Sequence, residues 1–201
     1  MFVAFKKVTI TLFIFIFFQQ ILSNPINDIP LKPNKNLYSF FVEIPSGHKE
    51  KWELNNDSGS LELETRRGQK RIINFLPYPG NYGFIPQTLS GDGDPLDLID
   101  LDESSPQGTI KKIKIIGAMY FEDKKQDDYK FIGVSPEGTF KGIQSIEELL
   151  LEKPAALEIL KLWFMSYKKA GKMTFIRFIG LEESKRILAE SHDRWSEAQK
   201  G

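Results

Sequence analysis

The chain has 201 residues, with 27 basic and 27 acidic side chains, so its formal net charge is zero. A balanced charge favours neither a nucleic-acid binder nor a protein that acts through one large field of a single sign. The chain has no cysteine, which excludes disulfides, thiolate metal sites and cysteine nucleophiles.

The first residues have the pattern of an export signal. Lys6 and Lys7 precede the apolar run Val8–Phe18, and two glutamines follow it. A basic start followed by about 7–15 apolar residues is typical of a secretory signal peptide, whereas a transmembrane helix takes about 20. We therefore predict that residues 1–23 are a signal peptide and that the protein is exported, periplasmic or secreted. After cleavage no stable membrane contact is expected. An uncleaved anchor and a cytoplasmic location are the alternatives.

The next segment, residues 24–36, is rich in proline and asparagine and is predicted to be an irregular arm. It precedes one domain, residues 37–201. Runs of β-branched and aromatic residues, some alternating with polar ones, predict strands in the first part of this domain. These strands are Tyr38–Ile44, Lys51–Asn55, Ser60–Thr65 and Arg71–Phe75.

The second part of the domain changes its periodicity. Two more strands are predicted at Thr109–Asp123 and Tyr129–Ser135. Ser145 then begins a short helix as its N-cap, and Pro154 opens a longer one with apolar residues at spacings of three and four. A strand at 173–180 and a helix at 181–199 complete the chain. Strands followed by helices predict an α+β domain, a barrel with helices packed outside.

An acidic segment from Asp92 to Glu103 alternates with leucine and isoleucine. Side chains alternate faces along an extended chain, so Asp92 and Asp94 point the same way, and a bend at Pro95 brings Asp97 towards them. Converging carboxylates repel one another unless a cation lies among them. Oxygen ligands select hard cations such as Mg²⁺, Mn²⁺ or Ca²⁺. The segment therefore predicts a metal-ion site.

The residues alone leave a plainer interpretation open, because aspartate and glycine are common in solvated turns. A calcium-binding loop that starts at Asp92 fails, since its sixth position needs glycine and the chain has Asp97. The two histidines, His48 and His192, lie in a turn and a polar helix and are expected at the surface.

The segment Pro77–Asp97, PYPGNYGFIPQTLSGDGDPLD, closely resembles the signature region of the soluble family I inorganic pyrophosphatases. The resemblance extends from Val42–Pro45 to Ser166–Lys169, and the chain is identified as a bacterial-type member with an added N-terminal signal. This resemblance implies a five-stranded OB-like β-barrel with two main helices packed outside. It also implies hydrolysis of pyrophosphate to two phosphates, several Mg²⁺ ions for which Mn²⁺ can substitute, and a homo-oligomer, a hexamer in bacterial relatives.

The resemblance implies site residues as well. The positions that match metal ligands are Asp92, Asp94, Asp97, Asp123 and Asp128. The positions that match substrate contacts are Lys51, Arg71, Tyr82, Lys130, Tyr167 and Lys168, with Glu43, Glu53 and Tyr78 as supporting residues. Arg71 lies one residue closer to Tyr78 than the family pattern has it, so Arg66 and Arg67 are alternatives for the phosphate-binding arginine.

Pyrophosphate is strongly anionic, so its hydrolysis requires charge neutralisation and an activated water. In the predicted mechanism Asp94 accepts the proton of that water, and Tyr82 and Glu43 are further catalytic residues. A metal-dependent hydrolase of another phosphoanhydride is the alternative. A barrel that binds single-stranded nucleic acid would need a basic groove, but the most distinctive segment is acidic, so no nucleic-acid partner is expected.

Overall fold

The computed structural model describes residues 24–56, 58–168 and 172–200; the predicted signal peptide, residues 1–23, lies outside them. The strands are β1 (Tyr38–Ile44), β2 (Trp52–Leu54), β3 (Leu61–Leu63), β4 (Thr65–Arg66), β5 (Gln69–Lys70), β6 (Asn81–Phe84), β7 (Asp97–Asp100), β8 (Ile110–Asp123), β9 (Gln126–Val134) and β10 (Met173–Ile179). The helices are α1 (Pro25–Asp28), α2 (Ile146–Glu152), α3 (Pro154–Ser166) and α4 (Leu181–Ala198).

Five strands close into a barrel in the order β1, β6, β7, β9 and β8, because β8 pairs with β1 as well as with β9. β7 and β9 run parallel, and the other neighbours run antiparallel. β10 extends the sheet along the second half of β8. Helix α3 packs Trp163 and Phe164 onto this sheet, and α4 packs Ile187 and Leu188 onto it elsewhere. The predicted α+β barrel is confirmed.

Closure of the barrel requires a glycine in β6. Gly83 pairs with Val42 of β1, and a Cβ at Gly83 would lie 2.0 Å from the carbonyl oxygen of Phe41. Real Cβ atoms do not approach backbone oxygen so closely, so the two strands meet only because this side chain is missing. The pairing places Tyr82, on the same strand, at one end of the barrel.

The strand predicted at Arg71–Phe75 is wrong. The segment alternates as a strand does, with Ile72 55% exposed and Ile73 4% exposed. However, Ile72 forms only an isolated bridge with Glu50, and the backbone hydrogen bonds of Arg71 and Ile73 beside it do not extend into a strand ladder. Alternating burial reports which side chains face the core, and it does not supply a neighbouring strand. The predicted strands at Lys51–Asn55 and Ser60–Thr65 are present but shorter, as β2 and β3.

The arm before the barrel is more ordered than the expected irregular segment. Asn24 caps α1 by accepting a hydrogen bond from the Ile26 amide at 3.0 Å. Ile26, Ile29 and Leu31 are buried, with 3–9% of their surface exposed. These apolar contacts hold the arm against the barrel and helix α4.

No helix in the described ranges combines the length and the apolar character needed to cross a membrane.

Candidate active site

One end of the barrel opens into a cleft of about 550 Å³. Strands, the loop after β6 and the end of α3 all contribute side chains to it. Most of the residues predicted from the sequence line this cleft, namely Lys51, Glu53, Arg71, Tyr82, Asp92, Asp123, Asp128, Lys130, Tyr167 and Lys168. The other four, Glu43, Tyr78, Asp94 and Asp97, lie directly behind or beside these residues, as their contacts show.

Lys130 lies between the carboxylates of Asp97 and Asp128 and is 5% exposed. Asp97 on β7 is its register partner across the parallel pair, and Asp128 precedes it by two residues on the same face of β9. The Lys130 Nζ pairs with both carboxylates, at 2.5 Å from the Asp128 Oδ1. Burial opposes the charge of Lys130, but the two carboxylates outweigh it and raise the pKa of the lysine well above its usual value. Lys130 therefore stays cationic.

The carboxyl of Asp128 responds in the opposite way. Burial raises its pKa above the usual aspartate range, and the nearby charge of Asp97 adds to this, while Lys130 counters it. A buried carboxylate beside another carboxylate gains most from an added cation, because the cation stabilises the charged form that burial disfavours.

A second ion pair joins Lys168 to Asp123, with 2.7 Å between the Lys168 Nζ and the Asp123 Oδ2. The other oxygen, Asp123 Oδ1, is buried and has no hydrogen-bond partner among the described residues. A buried carboxylate oxygen without a partner costs free energy and needs an explanation. It lies in the cleft wall, where a bound cation would satisfy it.

The loop between β6 and β7 carries Asp92 and Asp94. Gly93 turns the chain between them with a φ of 93°, a conformation that glycine adopts without strain. Burial raises the pKa of Asp94, and the charges of Asp92 and Asp97 raise it further. Asp92 and Asp97 thus both act electrostatically on Asp94. Among the described residues, however, no three carboxylates or imidazoles form a ready-made metal-ligand set.

Lys51 also lines the cleft, close enough to Asp94 for its charge to lower the pKa of that carboxyl. Its Nζ lies 2.8 Å from the Glu53 Oε1 and 5.3 Å from the centre of the Tyr82 ring. Burial opposes its charge, but the neighbouring Tyr78 and Glu43 outweigh burial, and the pKa of Lys51 is raised.

Glu43 lies behind Lys51, 7% exposed, and its Oε1 accepts a hydrogen bond from the Leu54 amide at 2.8 Å. Burial raises its pKa to about 7, against the lowering effects of Lys51 and of this amide. Glu43 therefore lies next to a cleft residue without lining the cleft itself, and its raised pKa is close to neutral pH.

Aromatic rings form the apolar wall. Tyr78 packs in a tilted arrangement between Tyr82 and Trp163, with ring centres 5.2 Å and 4.5 Å away, and Tyr167 stacks on Trp163 at 4.6 Å. Burial, together with the charge of Asp97, raises the pKa of Tyr82 far above its usual value, so its hydroxyl remains protonated. That hydroxyl lies 3.4 Å from the Lys130 Nζ.

Two of the three candidate arginines reach the cleft. Arg66 and Arg71 both line it and both pair with Glu64, and their side chains are 64% and 14% exposed. Arg67 lies in the turn between β4 and β5, with a φ of 53°, and is not among the lining residues. The inner position of Arg71 favours it as the arginine that faces a bound anion.

Sequence reasoning missed Glu64, which holds both arginines, and Asp127, which lines the cleft beside Asp128. Glu64 lies opposite Arg71 across the short β4–β5 hairpin, and a resemblance to motifs does not report such a contact. The tyrosine hydroxyls of Tyr120 and Tyr129 both donate to Asp127. Asp127 alternates with Asp128 along β9, which could have indicated that one of the two faces away from Lys130.

The barrel and its cleft define an OB-like protein in which carboxylates, lysines and an arginine line one end of the barrel. A family model described as inorganic pyrophosphatase matches residues 40–196. The soluble inorganic pyrophosphatase 2 of Chlamydomonas reinhardtii is 33% identical over 186 residues, which cover 90% of this chain and 93% of that protein. The chain belongs to the inorganic pyrophosphatase family.

Two solved structures are similar in fold. A truncated Trypanosoma cruzi vacuolar soluble pyrophosphatase in complex with PPi has a TM-score of 0.83 and 25% identity, with coverage of 89% of this chain and 80% of that one. The Thermus thermophilus inorganic pyrophosphatase has a TM-score of 0.75 and 26% identity, with coverage of 86% and 99%.

Proposed function

We propose that this protein hydrolyses inorganic pyrophosphate to two orthophosphates. The observation that carries the proposal is the composition of the cleft, in which carboxylates face Lys51, Arg71, Lys130 and Lys168. The lysines and the arginine can donate charge-assisted hydrogen bonds to phosphate oxygens. The carboxylates cannot bind a phosphate anion directly, so they need another partner. The family relationship and the similar T. cruzi structure with PPi support the same substrate.

The surplus carboxylates fit divalent cations, since Asp123 Oδ1 is buried without a partner and the donors are all oxygen. We assign Asp92, Asp94, Asp97, Asp123 and Asp128 as the residues that would hold Mg²⁺, with Mn²⁺ as a substitute. Such ions supply charge neutralisation and lower the pKa of bound water. The spacing of Asp123 and Asp128 also supports the bacterial subtype of the family.

The residues of the chain have separate roles in this proposal. Arg71, Lys168 and Lys51 bind the phosphate oxygens, and Tyr167 borders them from the end of α3. Asp94 accepts the proton of the attacking water, because burial and neighbouring carboxylates raise its proton affinity. Lys130 and the protonated hydroxyl of Tyr82 face the site together as donors.

Phosphate release from pyrophosphate by the purified full chain tests this function. Release with Mg²⁺ that a chelator abolishes, and that ATP or another phosphoanhydride does not match, supports a metal-dependent pyrophosphatase. Preference for ATP would favour the alternative phosphoanhydride hydrolase. A folded, Mg²⁺-loaded protein that releases no phosphate would contradict both.

We also propose that residues 1–23 direct export, on the basis of Lys6, Lys7 and the apolar run that follows them. Expression of the full chain in an export-competent bacterial host tests this. The expected product is a protein outside the cytoplasm whose intact mass corresponds to a start at Asn24. A full-length mass in the membrane fraction would favour an anchor, and a full-length mass in the cytosol would contradict export.

Self-association is part of the same proposal. Helix α3 exposes Ile159, Leu162 and Met165 on its outer side, where 37–57% of each residue is exposed. Apolar residues clustered on one helix face are typical of an interface. Sedimentation velocity is expected to show an oligomer that Leu162→Glu weakens and that Ala189→Glu, on the exposed side of α4, leaves intact. A monomeric native protein would contradict this.

A further inference from the structure

Gln87 lies at the start of the loop that carries Asp92 and Asp94, and its backbone is left-handed, with a φ of 56°. Glycine or asparagine adopts this conformation at lower cost than glutamine. A glutamine at such a position indicates that hydrogen bonds of its side chain, which glycine could not form, offset the cost of this backbone conformation.

The polar groups of Gln87 tie the N-terminal arm to the barrel. Its amide donates to the Ile26 carbonyl at 2.8 Å, and its Nε2 donates to the Asn27 carbonyl at 3.1 Å. Its Oε1 accepts from the Leu31 amide at 3.0 Å, and its own carbonyl lies 2.7 Å from the Nδ1 of His192. His192, expected at the surface, is instead half-buried in this contact. All four polar groups of Gln87 are therefore fixed.

Helix α4 holds the arm and the loop at the same time. The Nε1 of Trp195 donates to the Asn27 Oδ1 at 2.9 Å. The Leu89 amide donates to the Ser191 carbonyl at 2.9 Å, and the Arg194 Nε donates to the Leu89 carbonyl, also at 2.9 Å. The arm, the start of the loop and α4 thus form one hydrogen-bonded unit behind the aspartates.

Beyond this unit Asp92 and Asp94 are exposed, and the other hydrogen bonds of the loop close it on its own first residues. The Gly93 amide donates to the Ser90 carbonyl at 3.2 Å, and the Asp94 amide donates to the Asp92 Oδ1 at 3.2 Å. Ser90 donates its amide to the Asp94 carbonyl at 2.7 Å, and the far end is held where the Leu96 amide donates to Thr88 at 2.9 Å. The geometry of Asp92 and Asp94 therefore depends on how the first residues of the loop are anchored. The arm lies outside residues 40–196, the part that matches the family model.

We propose that Gln87, held by residues 26–31 of the arm, is a positioning residue that sets Asp92 and Asp94 for binding divalent cations. The proposal rests on the proposed function, because it assigns these aspartates to the metal. Residues that orient metal ligands from behind change metal affinity by about 10–100-fold when they are replaced. The arm would thus contribute to the site without touching metal or substrate.

Mn²⁺ binding to the chelator-treated full chain, followed by electron paramagnetic resonance, tests the proposal without an activity assay. Gln87→Gly relaxes the backbone but removes both side-chain hydrogen bonds. It is expected to raise the Kd for Mn²⁺ about tenfold or more. Ser39→Ala is the matched control. Ser39 Oγ donates to the Pro30 carbonyl at 2.6 Å, so this change loosens the same arm where it meets β1, and the Kd should stay within about twofold.

A second pair of variants keeps the test decisive if Gln87→Gly does not fold. Asn27→Ala leaves Trp195 Nε1 without its acceptor, and Asn27→Asp keeps an acceptor oxygen. We expect Asn27→Ala to weaken Mn²⁺ binding and Asn27→Asp to restore it. Unchanged Mn²⁺ affinity in folded Gln87→Gly and Asn27→Ala proteins would overturn the proposal. A native chain that binds Mn²⁺ but releases no phosphate would refute the proposed function alone.

Discussion

Asp94 differs in its surroundings from the aspartates of the cleft that pair with lysines. Asp97, Asp123 and Asp128 pair with lysines, whereas Asp94 forms no ion pair within the described part of the chain. Burial and the charges of Asp92 and Asp97 raise its pKa. A carboxylate with raised proton affinity is better suited to accept a proton than one that a lysine neutralises.

Replacement of Asp94 by asparagine is therefore expected to lower kcat by about 100-fold or more, the usual loss when a general base is removed. The fold should remain, because the residue as a whole is exposed to solvent and only its carboxyl group is partly desolvated beside Asp92 and Asp97. Steady-state phosphate release and circular dichroism measure the two effects. Asp193→Asn, an exposed change on α4, is the control and should keep kcat. Near-normal turnover in Asp94→Asn would exclude Asp94 as the proton acceptor.

The raised pKa of Glu43 leads us to expect that the free energy of unfolding depends on pH. Burial raises its pKa in the folded protein to about 7, from the 4.5 of a solvated glutamate. A raised folded-state pKa gives a stabilising contribution that is complete below pH 4.5 and is lost as the pH rises through 7. Glu43→Gln removes this loss and keeps an acceptor for the Leu54 amide.

The free energy of unfolding of Glu43→Gln, minus that of the native protein, should therefore rise by about 2–3 kcal/mol between pH 4.5 and pH 8. Urea denaturation at a series of pH values measures this difference. A difference that stays constant over this range would mean that Glu43 does not titrate there in the folded state.

At the level of secondary-structure elements, the close approach of β1 and β6 leaves no room for a side chain at Gly83. Gly83→Ala would place a methyl group 2.0 Å from the Phe41 carbonyl oxygen and 2.9 Å from the Glu43 amide nitrogen. Because both neighbours are backbone atoms of a paired strand, the strands would have to separate. We expect a loss of more than about 3 kcal/mol in unfolding free energy, beyond ordinary overpacking.

Gly142→Ala is the matched change, since a Cβ there would meet nothing within 4 Å. It should alter the unfolding free energy by less than about 1 kcal/mol. Thermal and urea denaturation of both variants provide the comparison. Equal stability of the two variants would show that the β1–β6 contact can relax.

The elements differ in how far the sequence determines them. Strand β1 and helix α3 could be predicted because their burial patterns are local. The pairing of β1 with β8 could not, because it joins segments about 70 residues apart and periodicity carries no information about partners. For the same reason Arg71–Phe75 has the alternation of a strand without a strand to pair with.

The candidate site shows the same division. Motif resemblance indicated which residues belong to the cleft, and most of them do line it. It did not indicate that Lys130 pairs with both Asp97 and Asp128, or that Glu64 holds the two arginines. These contacts depend on strand register and side-chain direction, which the sequence alone does not fix.

The whole chain has equal numbers of basic and acidic residues, and the cleft also contains side chains of both signs. Lys130 and Lys168 neutralise part of the carboxylate charge at the barrel end. An uncompensated cluster of buried carboxylates would strongly destabilise the fold. We therefore expect these ion pairs to let the polypeptide fold before any cation binds.

Treatment with a chelator should accordingly abolish phosphate release and leave the cooperative thermal transition in place. Readdition of Mg²⁺ at about 100 times its Kd should raise the free energy of unfolding by about 2.7 kcal/mol. Differential scanning calorimetry measures both states. Loss of the transition after chelation would show that the lysines do not compensate the carboxylates.

The anchoring of the arm by helix α4 also affects the order in which parts of the chain fold. Asn27 lies at the start of the described chain, and its partner Trp195 lies in the last helix. During synthesis the arm emerges before α4, so its apolar contacts with the barrel can form early, whereas the hydrogen bond from Trp195 to Asn27 requires that α4 has followed. The loop with Asp92 and Asp94 would thus be secured only at the end of folding, after the barrel has formed. Full affinity for cations would then appear only after the whole chain has folded.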